Sequence, residues 1–135
     1  MMRNLSRVAA CLSVTSVLAG PGCGSSQLTS VTIAPPVADA QNFPGARVPF
    51  TATGTFSDSS KPVPLQNLTW CVGMSNGMCN GNIASPATVD SHGVARCTGG
   101  LNGTVTILAG TGNAMMNPDG GQQLAVFGTA RLTCP

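Results

Sequence analysis

The chain is predicted to be all-β, a small sandwich of about seven short strands. Three observations predict it. Apolar and polar residues alternate with a period of two in several short runs, above all from Arg47 to Phe56. The residues that long surface helices need are nearly missing: 7% of the chain is charged, lysine occurs once and glutamate is absent. The 17 glycines and 10 prolines punctuate the runs at the spacing of a sandwich rather than at that of α/β units.

Val31-Thr32-Ile33 is a short alternating strand that ends at Pro35-Pro36, with Val31 and Ile33 on one face. Residues 37–46 contain Asn42, Pro44 and Gly45 and read as a connection. In the run from Arg47 to Phe56, Val48, Phe50, Ala52, Gly54 and Phe56 share one face. Thr51, Thr53 and Thr55 share the other. Pro49 marks an edge position. Ser57-Asp58-Ser59-Ser60 reads as a turn. Leu68-Thr69-Trp70-Cys71 carries the single tryptophan, with Leu68 and Trp70 on one face.

The segment 72–86 is rich in Gly, Asn and Ser and reads as a loop. Ala87-Thr88-Val89-Asp90 and Val94 to Thr98 are strands joined by the turn Ser91-His92-Gly93. Thr104 to Ala109 places Val105, Ile107 and Ala109 on one face. Residues 110–123, with Met115, Met116 and Asn117-Pro118-Asp119-Gly120-Gly121, read as a second long loop. Leu124 to Cys134 closes the chain, with Val126, Gly128, Ala130, Leu132 and Cys134 on one face.

Residues 1–22 have the form of a signal peptide: Arg3 and Arg7 in a positive n-region, an apolar stretch from Val8 to Leu18, then Ala19-Gly20-Pro21-Gly22. That stretch is short of the roughly 20 apolar residues a membrane-spanning helix needs. Cys23-Gly24-Ser25-Ser26 resembles the start of a bacterial lipoprotein, in which the cysteine after a Leu-Ala-Gly type box is lipidated. Here Leu18-Ala19-Gly20 is separated from Cys23 by Pro21-Gly22, and Val8-Ala9-Ala10-Cys11 is a second box with almost no hydrophobic region before it. Lipidation at Cys23 is the expectation, and secretion after ordinary cleavage stays open beside it. The division is then a signal peptide over 1–22, a lipid-anchor tether over 23–29 and one sandwich domain over 30–135.

Without Arg3 and Arg7, Arg47, Lys61, Arg96 and Arg131 balance Asp39, Asp58, Asp90 and Asp119. A near-neutral domain lacks the basic footprint of a nucleic-acid binder, so no nucleic-acid partner is expected.

The order of the pieces resembles the bacterial immunoglobulin-like domain of the group 2 type. The matching text is Leu28-Thr29-Ser30-Val31-Thr32-Ile33-Ala34-Pro35, Phe50 to Asp58, Leu68-Thr69-Trp70, Ala87 to Val94, Gly103 to Ile107, and Gly128 to Thr133. The resemblance covers about residues 28–133. It implies an immunoglobulin-like Greek-key sandwich in a cell-surface or adhesion context. Two departures stand out: the cysteines, and the length of 72–86 and 110–123.

Six cysteines are present. Cleavage removes Cys11 and lipidation consumes Cys23, which leaves Cys71, Cys79, Cys97 and Cys134. An even number in an exported chain suggests two disulfides, with three possible connectivities. Strand parity puts Cys97 with Ala95 and Cys134 with Leu132, both facing the core. Cys71, next to inward Trp70, faces outward, and Cys79 in the following loop can fold back to it. The expected pairs are Cys71–Cys79 and Cys97–Cys134.

No catalytic, cofactor-binding or metal site is expected. The one histidine, His92, sits in a turn. There is no Gly-x-Ser-x-Gly nucleophile motif and no close Cys-x-x-Cys pair. Asn117-Pro118-Asp119-Gly120-Gly121 lacks the further acidic ligands of a calcium loop. The expected function is a non-enzymatic envelope or surface module with a structural, adhesion or assembly role. Its partners would be the membrane, through the lipid anchor, and an envelope or surface protein. The alternative is a small secreted binding protein for a carbohydrate or protein ligand, using loops 72–86 and 110–123 with Met115, Met116, Asn117 and Asp119 as contacts.

Overall fold

The computed structural model describes residues 25–81, 83–116 and 120–135. They form ten strands and two single-turn 3-10 segments. The strands are β1 (Leu28–Ala34), β2 (Val37–Asp39), β3 (Arg47–Pro49), β4 (Thr51–Phe56), β5 (Ser59–Pro64), β6 (Thr69–Gly73), β7 (Ala87–Val89), β8 (Val94–Cys97), β9 (Gly103–Met116) and β10 (Gln122–Cys134). The all-β prediction holds. Ten strands replace about seven because the Arg47–Phe56 run is divided in two and because β2 and β5 are additional.

The division has a physical cause. β3 pairs with β8, whereas β4 pairs with β1 and β5. Between them, Phe50 donates its N–H to the Gly93 carbonyl at 2.9 Å. The period of two continues through the switch: Val48, Phe50 and Ala52 are all buried. β5 escapes a sequence reading because Lys61-Pro62-Val63-Pro64 looks like a connection. It is an edge strand, exposed throughout, where missing N–H groups do little harm. β1 begins at Leu28, two residues inside the expected tether.

The strands form ladders in the orders β1-β4-β5, β3-β8-β7 and β2-β10-β9-β6. The first two share the divided strand and form one layer; the third is the other. After the cis Ala34–Pro35 peptide the chain crosses between them, and β2 runs parallel to β10 with Val37 opposite Arg131. The core between the layers joins Val31, Ile33, Val48, Phe50, Ala87 and Ala95 to Val72, Ile107, Ala130 and Leu132. Cys97 on β8 and Cys134 at the end of β10 are bonded across the layers, with their Cα atoms 5.7 Å apart.

A second, smaller core lies on the outer face of the β6-β9-β10 sheet. It contains Leu108, Leu124 and Cys79, with Cys71 and Phe127 packed against it. Leu108 lies opposite in parity to Ile107 and Ala109, yet all three are fully buried. Two features cover it. Register shifts between Gln122, Leu124 and Val126 turn Leu124 onto this outer face. The segment after β6 then folds back, with Cys71 bonded to Cys79 at a Cα separation of 5.6 Å.

That segment is not the free loop expected over 72–86. Val72 and Gly73 belong to β6, Gly73 bridges to Cys79, and Met78 bridges to Gln123 of β10. The Cys79 N–H donates to the Gln122 carbonyl at 2.9 Å, and the Leu124 N–H to the Gly77 carbonyl at 2.9 Å. Pairing therefore runs from β6 through β9 and β10 to residues 77–79 and back to β6. Gly77 has φ +85° and lies against the Phe127 ring, where a β-carbon would collide with it.

The expected loop over 110–123 is also corrected. β9 continues to Met116 and β10 starts at Gln122, so most of this stretch is an antiparallel hairpin in which Met116 pairs with Gln122. Glycine and asparagine disfavour strands, but pairing along the whole hairpin overrides that weak preference.

Candidate functional site

Trp70 lies on β6, the last strand in the order β2-β10-β9-β6, whose outer edge is paired with residues 79–80 at Val72 and Gly73 but, among the described residues, not at Trp70. At the same side of the sandwich the other layer presents β7 and the turn joining it to β8. Trp70 packs between them against the main core and stays half-buried. It lines two clefts, one on either side.

The larger cleft has a volume of about 650 Å³. Its walls are the β5–β6 connection (Gln66, Asn67), the start of β4 (Thr51), and the β7–β8 turn (Ser91, His92). The smaller, of about 450 Å³, lies between β6 and β7 and is bounded by the exposed Ile83.

The β7–β8 turn is rigidly placed. Asp90 Oδ1 accepts the His92 N–H at 2.9 Å and the Val94 N–H at 3.0 Å. These two bonds, that from Val94 first, hold the Asp90 carboxyl below its ordinary pKa. Gly93 closes the turn with φ +80°, and a β-carbon there would sit 2.8 Å from Trp70 Cζ2. The backbone of Gly93 therefore lies directly on the indole. His92 is exposed, as a turn residue should be, and its Nδ1 lies 3.5 Å from Ser91 Oγ.

The opposite wall is equally specific. Asn67 has φ +57°, a conformation that asparagine tolerates better than most residues. Among the described residues, the side chains of Gln66 and Asn67 have no hydrogen-bond partner within the protein, and neither does the Trp70 indole N–H. No buried side-chain nitrogen or oxygen among the described residues lacks a partner, so that indole N–H reaches solvent. No lysine, arginine, aspartate or glutamate lines this cleft.

Met115 and Met116 end β9 rather than occupying a loop. Asn117, Asp119 and Cys23 lie outside the described residues, as does the whole 1–22 segment. The four remaining cysteines form the two disulfides Cys71–Cys79 and Cys97–Cys134. Among the described residues no three His, Cys, Asp or Glu side chains gather as a metal site. No helix among them is long and apolar enough to cross a membrane.

Sequence reasoning missed Gln66, Asn67, Thr51 and Ser91 because they come from three separate places in the chain, the β5–β6 connection, the start of β4 and the β7–β8 turn. Only the single tryptophan, placed on a short strand, pointed to this region. Compared with known proteins, the sequence matches no family model and no curated protein.

Proposed function

We propose that this protein is an exported, non-enzymatic module of the cell envelope or cell surface, built on one immunoglobulin-like sandwich of the bacterial group 2 type. On this reading Cys23 carries a lipid that tethers the domain to a membrane, and the domain serves as a structural, adhesion or assembly element toward a neighbouring envelope or surface protein.

The pair of disulfides is the observation that carries the proposal. Disulfides persist in oxidising compartments and are rare where thiols are kept reduced. Both are integral to the fold: one joins the two layers and the other holds the segment that covers the outer core. A domain so stapled is suited to an oxidising environment. The N-terminal pattern of Arg3, Arg7, the Val8–Leu18 stretch and Cys23 supports the same location. The near balance of charge in the domain supports a partner other than nucleic acid.

The test is the intact mass of the native protein from fractionated cells, measured with and without reduction and alkylation. The expected result is a membrane-associated, acyl-modified chain starting at Cys23, with four cysteines that react only after reduction. An unmodified chain in the soluble fraction would remove the anchor from this reading. Free thiols at Cys71, Cys79, Cys97 or Cys134 in the native protein would remove the compartment argument as well.

A further inference from the structure

We infer that the cleft beside Trp70 is a binding site for a neutral saccharide, with the indole as its apolar wall and Gln66, Asn67, Ser91 and His92 as its polar groups. This inference goes beyond the envelope reading and does not depend on the lipid anchor.

A sugar ring has apolar C–H faces and a rim of hydroxyls that both donate and accept hydrogen bonds. A site for it needs an aromatic surface next to groups that can do either. The cleft supplies both. Trp70 is half-buried, packed against the core and against Gly93, and its remaining exposed surface lines the cleft. Its N–H reaches solvent without a protein acceptor, whereas a tryptophan N–H in a packed core usually finds one. Gln66 and Asn67 each offer an amide with a donor end and an acceptor end, and neither is used within the protein. Across the cleft, Ser91 and His92 add a hydroxyl and an imidazole.

The cleft's charge narrows the ligand class. Its lining contains no carboxylate, lysine or arginine, so it offers no permanently charged group to pair with an acidic sugar, a phosphate or an ammonium group, and a neutral ligand fits it best. Its volume of about 650 Å³ falls within the range of small-molecule sites. One polar wall is preorganised, because Asp90 holds the backbone of Ser91-His92-Gly93. Less ordering is then needed on binding, which favours affinity.

The full-length protein provides its own reporter. Trp70 is the sole tryptophan and there is no tyrosine, so intrinsic fluorescence reports on the two clefts that Trp70 lines, and substitutions at Gln66 and Asn67 assign a change to the larger one. The disulfide-intact chain is titrated with neutral glucose and N-acetylglucosamine oligomers, an acidic uronic-acid oligomer and an extended neutral peptide. The expected result is a saturable emission change with at least one neutral oligomer and none with the other two. Gln66→Ala and Asn67→Gly should each weaken that binding about three- to tenfold, the loss of one hydrogen bond. Asn67→Gly keeps the positive φ available, and unchanged circular dichroism for both variants would show that the fold is intact.

The inference is overturned if no neutral oligomer gives a saturable change. It is equally overturned if binding is unaffected by both substitutions, or if only the peptide or the acidic oligomer binds. None of these outcomes bears on whether Cys23 is lipidated.

Discussion

The indole of Trp70 and the backbone of Gly93 are packed so closely that no other residue fits at position 93. A β-carbon there would lie 2.8 Å from Trp70 Cζ2 and 2.7 Å from the Phe50 carbonyl oxygen. The backbone at 93, with φ +80°, adds a conformational penalty for any side chain. One contact thus joins β6 of one layer to a turn of the other, and both flank the cleft. Gly93→Ala is expected to destabilise the domain by about 2–3 kcal/mol. Urea unfolding followed by Trp70 fluorescence would measure it. A midpoint equal to that of the unsubstituted protein would show that Trp70 and the turn are not coupled.

The two disulfides should differ in what they contribute. Cys71–Cys79 closes a loop with a sequence separation of 8 and Cys97–Cys134 one of 37. Loop-closure entropy then assigns roughly 2.5 kcal/mol to the first and roughly 3.8 kcal/mol to the second. Paired serine substitutions at each bridge, compared by urea unfolding, should rank in that order. The reverse order would mean that the Cys71–Cys79 bridge matters chiefly through the outer core it covers, not through the unfolded chain.

How far the sequence could be read follows from what each residue's neighbours supply. Period-two alternation correctly assigned Val48, Phe50, Ala52, Ala130 and Leu132 to the core, because a half-buried strand writes its burial into its own alternation. Parity likewise turned Cys97 and Cys134 inward and Cys71 outward, and those are the cysteines that pair. What parity cannot tell is whether the outer face meets water. Leu108 is buried because Leu124 is turned onto its face and residues from 74 onward return across it; the expected Cys71–Cys79 pair marked the return of the chain but not what it covers. The cleft was illegible as well. Gln66 and His92 are far apart in the chain, and each looks like an ordinary connection residue. The hairpin at 110–123 was hidden by its Gly and Asn content, which describes a loop until a partner strand is supplied.

Leu108 offers a test of the outer core as a separate unit. Leu108 and Leu132 are both fully buried, one on each face of the same sheet. Replacement of either by alanine is expected to cost about 2–5 kcal/mol. The two should differ in where the structure opens. Leu108→Ala removes the packing beneath residues 74–80, so amide exchange at Gly77 and Cys79 should accelerate more than the global loss explains. Leu132→Ala should raise exchange there only through global unfolding. Identical exchange in both variants at Gly77 and Cys79 would make the outer core an extension of the main one.

The turn that carries Ser91 and His92 should weaken in acid. The Asp90 carboxylate accepts backbone N–H groups from Val94 and His92, and these bonds favour its charged form in the folded state. Its folded pKa is therefore below the ordinary value of 3.8. For a carboxyl with a lowered folded pKa, the added stability is fully present above the unfolded value. It is lost as pH falls through the folded one. Asp90→Ala should accordingly lower the melting temperature at neutral pH. The gap between the two proteins should begin to narrow near pH 3.8 and keep closing below it, as the unsubstituted chain loses the same contribution by protonation. Melting curves of both proteins across that interval decide the matter. A gap that stays constant into strong acid would mean that the Asp90 side chain holds the turn by shape and neutral hydrogen bonding, without help from its charge.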